Sequence, residues 1–120
     1  MIERLLQKAI EQRFGQGKAI IVFGARQVGK TTMLKNMLKE REDVLWMNGD
    51  EQDIRNLFEN ISSTRLKAII GKNNIVVIDE AQRITDIGIG IKLITDNFPN
   101  VQVFATGSSS FDLSNKVREP

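Results

Sequence analysis

Eight residues constrain this chain more than any other feature: Gly24-Ala-Arg-Gln-Val-Gly29-Lys30-Thr31, the spacing G-x-x-x-x-G-K-[ST] in full. At ordinary residue frequencies the four fixed positions coincide about 4 × 10⁻⁵ of the time per start position, so accident explains little in a chain this short. The flanks agree with the motif. Ala19-Ile-Ile-Val-Phe23 is an apolar, β-branched run bounded by glycines and reads as a buried strand. Gly29 to about Lys39 reads as a helix, with Met33, Leu34, Met37 and Leu38 on its buried side. Strand, loop and helix in that order form the setting in which this spacing cradles phosphate. Glycines let the backbone curl until the N–H groups of Gly24, Ala25, Arg26, Gln27, Val28 and Gly29 converge on an anion, and the helix adds its positive end. Lys30 then reaches the β- and γ-phosphates, Thr31 gives its hydroxyl to Mg²⁺, and Thr32 contacts the α-phosphate. The side chain of Arg26 is read as facing solvent or a partner.

The rest of the chain continues the alternation. Residues 1–14 carry apolar positions at helical spacing (Ile2, Leu5, Leu6, Ala9, Ile10, Phe14), an amphipathic helix stopped by Gly15 and Gly17 that leads the domain over residues 1–16. Val44–Met47 is a second strand, ending in the turn-prone Asn48-Gly49-Asp50. Asp53 to Ile70 fits two helical pieces broken around Ser62-Ser63. Ile75–Ile78 is a third strand, apolar on both faces as a central parallel strand must be. Thr85-Asp86 can cap a helix running to about Asn97, although Gly88 and Gly90 cost about 1 kcal/mol each against Ala. Val101–Ala105 is a fourth strand, followed by a polar loop, Thr106-Gly-Ser-Ser-Ser110, and Phe111 onward reads as the start of another helix. Strands alternating with helices give an α/β domain with a parallel sheet sandwiched between two helical layers.

The third strand ends in Asp79-Glu80, and ligands of open α/β sheets collect beyond such strand ends. Forty-nine residues after Lys30, the pair has a definite chemistry. Asp79 holds Mg²⁺, directly or through its waters, because that ion favours carboxylate and phosphate oxygens. Glu80 orients and polarises the attacking water. Without the phosphate loop, the same pair would read as a strand stop with solvated acids.

Composition narrows the chemistry further. The chain has 120 residues with no Cys and no His, which removes disulfides, thiol nucleophiles, histidine bases and the common zinc sites. Seventeen basic and fifteen acidic residues leave a net charge of +2 and no basic arm, so charge gives no case for nucleic acid or a membrane surface. No apolar run approaches a membrane span, and the N-terminus lacks the apolar region of a secretory signal, so a cytoplasmic location is expected.

With those residues in hand, the chain resembles the P-loop ATPases that carry a glutamate beside the Walker B aspartate. More narrowly, it is similar to the AAA-type ATPase domain at the N-terminus of a widespread bacterial and archaeal family of ATP-binding proteins. Gly24–Thr32, Ile78-Asp-Glu-Ala-Gln-Arg83, Thr106-Gly-Ser-Ser109, and Phe111–Lys116 running into Arg118-Glu-Pro120 carry the resemblance, which covers essentially the whole chain. It implies Mg-dependent ATP binding and hydrolysis, with ATP or ADP and Mg²⁺ as the bound species. It also implies that the 101–105 strand lies between the 19–23 and 75–78 strands. Thr106, with Ser108 as the alternative, becomes the polar sensor near the γ-phosphate. Relatives continue into a fifth strand and a C-terminal domain. The chain is therefore expected to be an N-terminal fragment, nearly inactive alone, with an unpaired sheet edge open to self-association. Arg83 and Arg118 are candidates for an arginine acting in trans, though each reads better as a surface residue.

Three other readings remain. Asp79-Glu-Ala-Gln82 and Thr106-Gly-Ser108 are also similar to motifs of superfamily-two helicases, which would make the chain one half of a motor. A nucleotide-binding switch module without appreciable hydrolysis is the non-enzyme alternative. A small-molecule kinase would need an acceptor site and a lid that the sequence does not reveal.

Overall fold

Ile75-Val-Val-Ile78 is apolar at every position, and such a run can be buried in full only inside a sheet covered on both faces. A computed structural model, which describes residues 19–23 and 30–107, places it there. In chain order the elements are β1 (Ile20–Phe23), α1 (Lys30–Leu38), β2 (Val44–Asn48), α2 (Gln52–Glu59), α3 (Ser63–Ile70), β3 (Ile75–Asp79), α4 (Ile87–Asn97) and β4 (Gln102–Gly107), with a 3₁₀ turn at Ala81–Arg83. The strands form one parallel sheet in the order β1-β4-β3-β2. The fourth strand thus lies between the first and the third, as expected from the resemblance. The leading helix over residues 1–16, the loop Gly24–Gly29, Ser108–Ser110, Phe111–Lys116 and Arg118 lie outside the described residues.

Alternation along the strands builds two cores. Ile75 and Val77 of β3 join Ile20, Val22 and Phe104 beneath Met33, Leu34 and Leu38 of α1. Val76 and Ile78 face the other way, into a larger cluster with Met47, Val103 and Ala105 under Phe58, Leu66, Ile70, Ile87, Ile91 and Ile94 from the remaining helices. Each Val, Leu, Ile, Met or Phe side chain among them contributes about 1.5–3 kcal/mol by leaving water. The result is the three-layer α/β arrangement. Gly90, unfavourable in an isolated helix, has a packing reason: a Cβ there would lie 2.6 Å from the Phe58 ring, so only glycine lets α4 approach α2 this closely.

Three details differ from the sequence reading. Thr106 and Gly107 are not loop: they extend β4, because Val22 and Phe23 of β1 continue the ladder opposite them. Asp86 precedes α4 with φ 57°, and its side chain makes no cap hydrogen bond. The 3₁₀ turn at Ala81–Arg83 was not anticipated; buried Ala81 anchors it. Among the described residues no helix is long and apolar enough to cross a membrane.

At the opposite end of the sheet from Asp79, Asp43 clips β2 to β3. Its carbonyl accepts from the N–H groups of Asn74 and Ile75 at 2.9 and 3.1 Å. Its carboxylate takes both Nε and Nη2 of Arg41, at 2.9 and 2.8 Å, and the Asn74 amide at 3.0 Å. The Arg41 guanidinium first, and the Asn74 amide second, hold this carboxyl far below the usual carboxylate range. A depressed folded-state value means the stabilisation is present at neutral pH and fades as pH falls from about 4 toward that value. Asp43→Asn is therefore expected to melt below the wild type at pH 7, with the gap closing as the buffer is taken to pH 3 and lower. The pair is exposed, so a shift of only a few degrees is expected from thermal melts across that range.

Candidate functional site

Parallel pairing brings the C-terminal ends of all four strands to one edge of the sheet. Asn48 lies opposite Asp79, Ile78 opposite Ala105, and Val22 opposite Thr106. The same edge receives the end of β1, from which residues 24–29 lead into Lys30 and Thr31, the first turn of α1. Strand order and register therefore gather Asp79, Glu80 and Thr106 at one place, at the end of the sheet where β1 also stops. Thr32 is exposed in that first turn.

Two donors converge on a single oxygen of Asp79. The Thr106 hydroxyl donates to Oδ1 at 2.5 Å, and the Glu80 backbone N–H donates to the same atom at 2.9 Å. The first distance is that of a charge-assisted O–H···O⁻ bond. Thr106 is fully buried, so its hydroxyl, placed by the last turn of the β4 pleat, fixes the carboxylate from within the sheet. Asp79 itself is half-buried at the strand end. Thr106→Val keeps the branched shape but deletes the donor to this carboxylate. An expected loss of about 1–3 kcal/mol should appear as a lower denaturation midpoint at unchanged m-value.

Glu80 stands in a backbone conformation unusual for its type, with φ 50° and ψ 45°. A non-glycine residue in the left-handed region costs on the order of 1–3 kcal/mol, and such strain concentrates at working sites. The surroundings hold it there. Arg83 N–H donates to the Glu80 carbonyl at 3.1 Å, closing the 3₁₀ turn. The Gln82 amide donates to Glu80 Oε1 at 2.8 Å, which fixes the carboxylate. From the neighbouring strand end, Gly49 N–H donates to the Asp79 carbonyl at 2.7 Å. Arg55 Nη1 holds the Gly49 carbonyl at 2.7 Å, and Arg83 Nη1 lies 3.3 Å from Asp50 Oδ1. The expected surface role of Arg83 agrees with its half-exposed side chain in that ion pair.

Sequence reasoning had no role for Gln82, Gly49 or Arg55. Gln82 was within the Ile78–Arg83 stretch, and a signal was present: a donor two residues beyond a glutamate reaches it across one tight turn. Gly49 was read only as a turn residue. Its signal required the strand order, because β2 and β3 had to be known neighbours before residues 48–50 could be set beside 79–80.

At this edge the Asp79 carboxylate presents oxygen donors. That is the ligand chemistry of a hard divalent cation shared with phosphate oxygens. A family model described as an AAA domain matches residues 16–120. A search of curated proteins gives no match.

Proposed function

The chain belongs to the AAA-type P-loop ATPase domains, and from that membership we propose that it binds ATP with Mg²⁺ and hydrolyses the β–γ anhydride bond to give ADP and phosphate. A nucleotide-binding, ATPase-like role follows from the family; the assignment of residues to steps is our own. The observation that supports it is the Thr106–Asp79–Glu80 constellation at the strand ends, at the sheet edge where β1 stops.

The phosphates would lie in the loop Gly24–Gly29 with Lys30 on the β- and γ-oxygens and Thr32 near the α-phosphate. Thr31 and Asp79 would hold Mg²⁺, which when bound screens charge on the phosphate oxygens. Thr106 keeps the Asp79 carboxylate in one orientation, a geometric requirement for a metal ligand. In this role it senses the γ-phosphate side of the site through Asp79. Glu80 directs a water at the γ-phosphorus: as the water oxygen bonds to phosphorus, the bond to the bridging oxygen breaks, that oxygen leaves with its electron pair on ADP, and the water's proton passes to the Glu80 carboxylate. Gln82 fixes the glutamate until that water is in place.

Two variants test the division of labour. Glu80→Gln is expected to retain ATP and Mg²⁺ binding while turnover falls about 10²-fold or more. Asp79→Asn is expected to weaken Mg²⁺-dependent binding itself. Identical behaviour of the two in a Mg²⁺ titration, with binding and turnover both followed, would remove the separate roles assigned here. ATP binding by the wild type with no measurable phosphate release would leave a nucleotide-binding switch as the better reading.

A further inference from the structure

The turn that ends β2, residues 48–50, lies against the acidic pair at the end of β3, and Gly49 makes the contact. Both peptides of Gly49 are engaged. Its N–H donates to the Asp79 carbonyl at 2.7 Å, and its own carbonyl accepts from Arg55 Nη1 at 2.7 Å. Between those two bonds the Gly49 Cα faces the Glu80 carbonyl, so closely that a Cβ would lie 2.2 Å from its oxygen. The contact demands glycine, and glycine has the least restricted backbone of any residue. Its second peptide must therefore be fixed by other groups.

Two groups reach that peptide. The Asp50 N–H donates to Asn48 Oδ1 at 2.8 Å, an exposed bond that water can replace. The Arg55 bond to the Gly49 carbonyl is half-buried and comes from α2. Arg55 is itself anchored. Its backbone N–H donates to the Glu51 carbonyl at 3.1 Å, and Nη2 donates to Gln52 Oε1 at 2.9 Å. Among the described residues no carboxylate forms an ion pair with this guanidinium. Its side-chain bonds go to two neutral oxygens, so it places a backbone instead of balancing an acid.

We propose that Arg55 is a positioning residue for hydrolysis: through Gly49 it holds the Glu80 backbone in the left-handed conformation from which the carboxylate meets its water. That role rests on the hydrolytic reading of the site. Glu80 sits at φ 50° and ψ 45°, a conformation that its surroundings must impose. The 3₁₀ turn supplies one restraint, through Arg83 N–H on the Glu80 carbonyl at 3.1 Å. Gly49 supplies another from the neighbouring strand end, and Arg55 sets where Gly49 stands. The Arg83–Asp50 pair at 3.3 Å joins the same two segments, but both side chains are exposed and such pairs contribute little.

Arg55→Met keeps the aliphatic stem and deletes both side-chain bonds; Arg55→Gln takes its place should methionine cost the fold. Single-turnover hydrolysis of labelled Mg-ATP is compared in the wild type, Arg55→Met, Glu80→Gln and the double variant. Arg55→Met is expected to slow hydrolysis at least about tenfold while the ATP dissociation constant stays within about twofold. In the Glu80→Gln background the same substitution should change the rate by less than about twofold, because the carboxylate it serves is already gone. Amide hydrogen exchange, read by NMR without nucleotide, reports the restraint itself. Residues 80–84 should exchange faster in Arg55→Met while residues 75–78 of β3 keep wild-type rates. An equal loss of rate in both backgrounds, a loss of ATP affinity, or wild-type turnover in Arg55→Met overturns the role of Arg55 alone. So does exchange that is unchanged at 80–84 or faster throughout β3 as well, the mark of general destabilisation. A wild type that binds Mg-ATP and releases no phosphate overturns the hydrolytic reading, and the role of Arg55 with it.

Discussion

Lys30→Ala is expected to leave the protein folded and unable to bind nucleotide at concentrations that saturate the wild type. Folding should survive because Lys30 is the first residue of α1, and that helix meets the core through Met33, Leu34 and Leu38. Alanine is also the better helix former at such a position. Binding should fail because the lysine is assigned to two phosphates, and hydrogen bonds to charged groups contribute roughly 1.5–3 kcal/mol each. Two of them correspond to about 10²–10⁴ in affinity. A thermal-shift experiment separates the two effects. Mg-ATP at a hundredfold excess over its dissociation constant stabilises the wild type by about 2.7 kcal/mol, a rise on the order of 10 °C for a domain of this size. The variant should melt near the nucleotide-free wild type and show no rise at the same concentration. Wild-type affinity and turnover in this variant would sink the phosphate-loop assignment.

How far the fold was legible depended on whether a signal was local. The runs Ala19–Phe23, Val44–Met47, Ile75–Ile78 and Val101–Ala105 stand out because each is short, apolar and bounded by turn residues, and each holds most of a strand. The break at Ser62-Ser63 was legible for the same reason: Ser62 caps α3, its hydroxyl accepting from Arg65 N–H at 3.1 Å. Strand order was not local. No residue in β4 says that it lies beside β1, and only the family resemblance carried that expectation. The end of β4 failed on the same ground, since Thr106 and Gly107 look like loop until Val22 and Phe23 are set opposite them. At the candidate site, the chemistry-bearing residue types were readable because phosphate and Mg²⁺ demand particular atoms at particular spacing. The groups that aim those residues were not. The bond from Thr106 to Asp79 spans 27 positions, and the contact between Gly49 and Glu80 exists only because β2 and β3 are neighbours.

That last contact gives the second large effect. Gly49 is buried where β2 ends, and a Cβ added to it would lie 2.2 Å from the Glu80 carbonyl oxygen and 3.1 Å from its carbonyl carbon. Both are backbone atoms, so no side-chain rotation relieves the overlap. Ile84 closes the remaining direction at 3.2 Å. Gly49→Ala must therefore move one of two things. If the β2 end retreats, the bond from Gly49 N–H to the Asp79 carbonyl stretches, and so does the bond from Arg55 to the Gly49 carbonyl. If the Glu80 carbonyl rotates instead, the left-handed conformation is disturbed and the carboxylate loses its hydrogen bond from Gln82. Overpacking of this kind costs about 1–3 kcal/mol, and on a domain of this size the melting temperature should fall by roughly 5–15 °C. Turnover should fall more than ATP affinity, because Lys30 and the loop before it are remote in sequence from the overlap while Glu80 is part of it. A second substitution distinguishes the two routes. Glycine at position 80 tolerates any rotation of its peptide, so Gly49→Ala/Glu80→Gly should recover part of the lost melting temperature if the Glu80 backbone is what yields. No recovery would assign the strain to the end of β2, and wild-type melting with wild-type turnover in Gly49→Ala would mean that the two strand ends are not packed this closely.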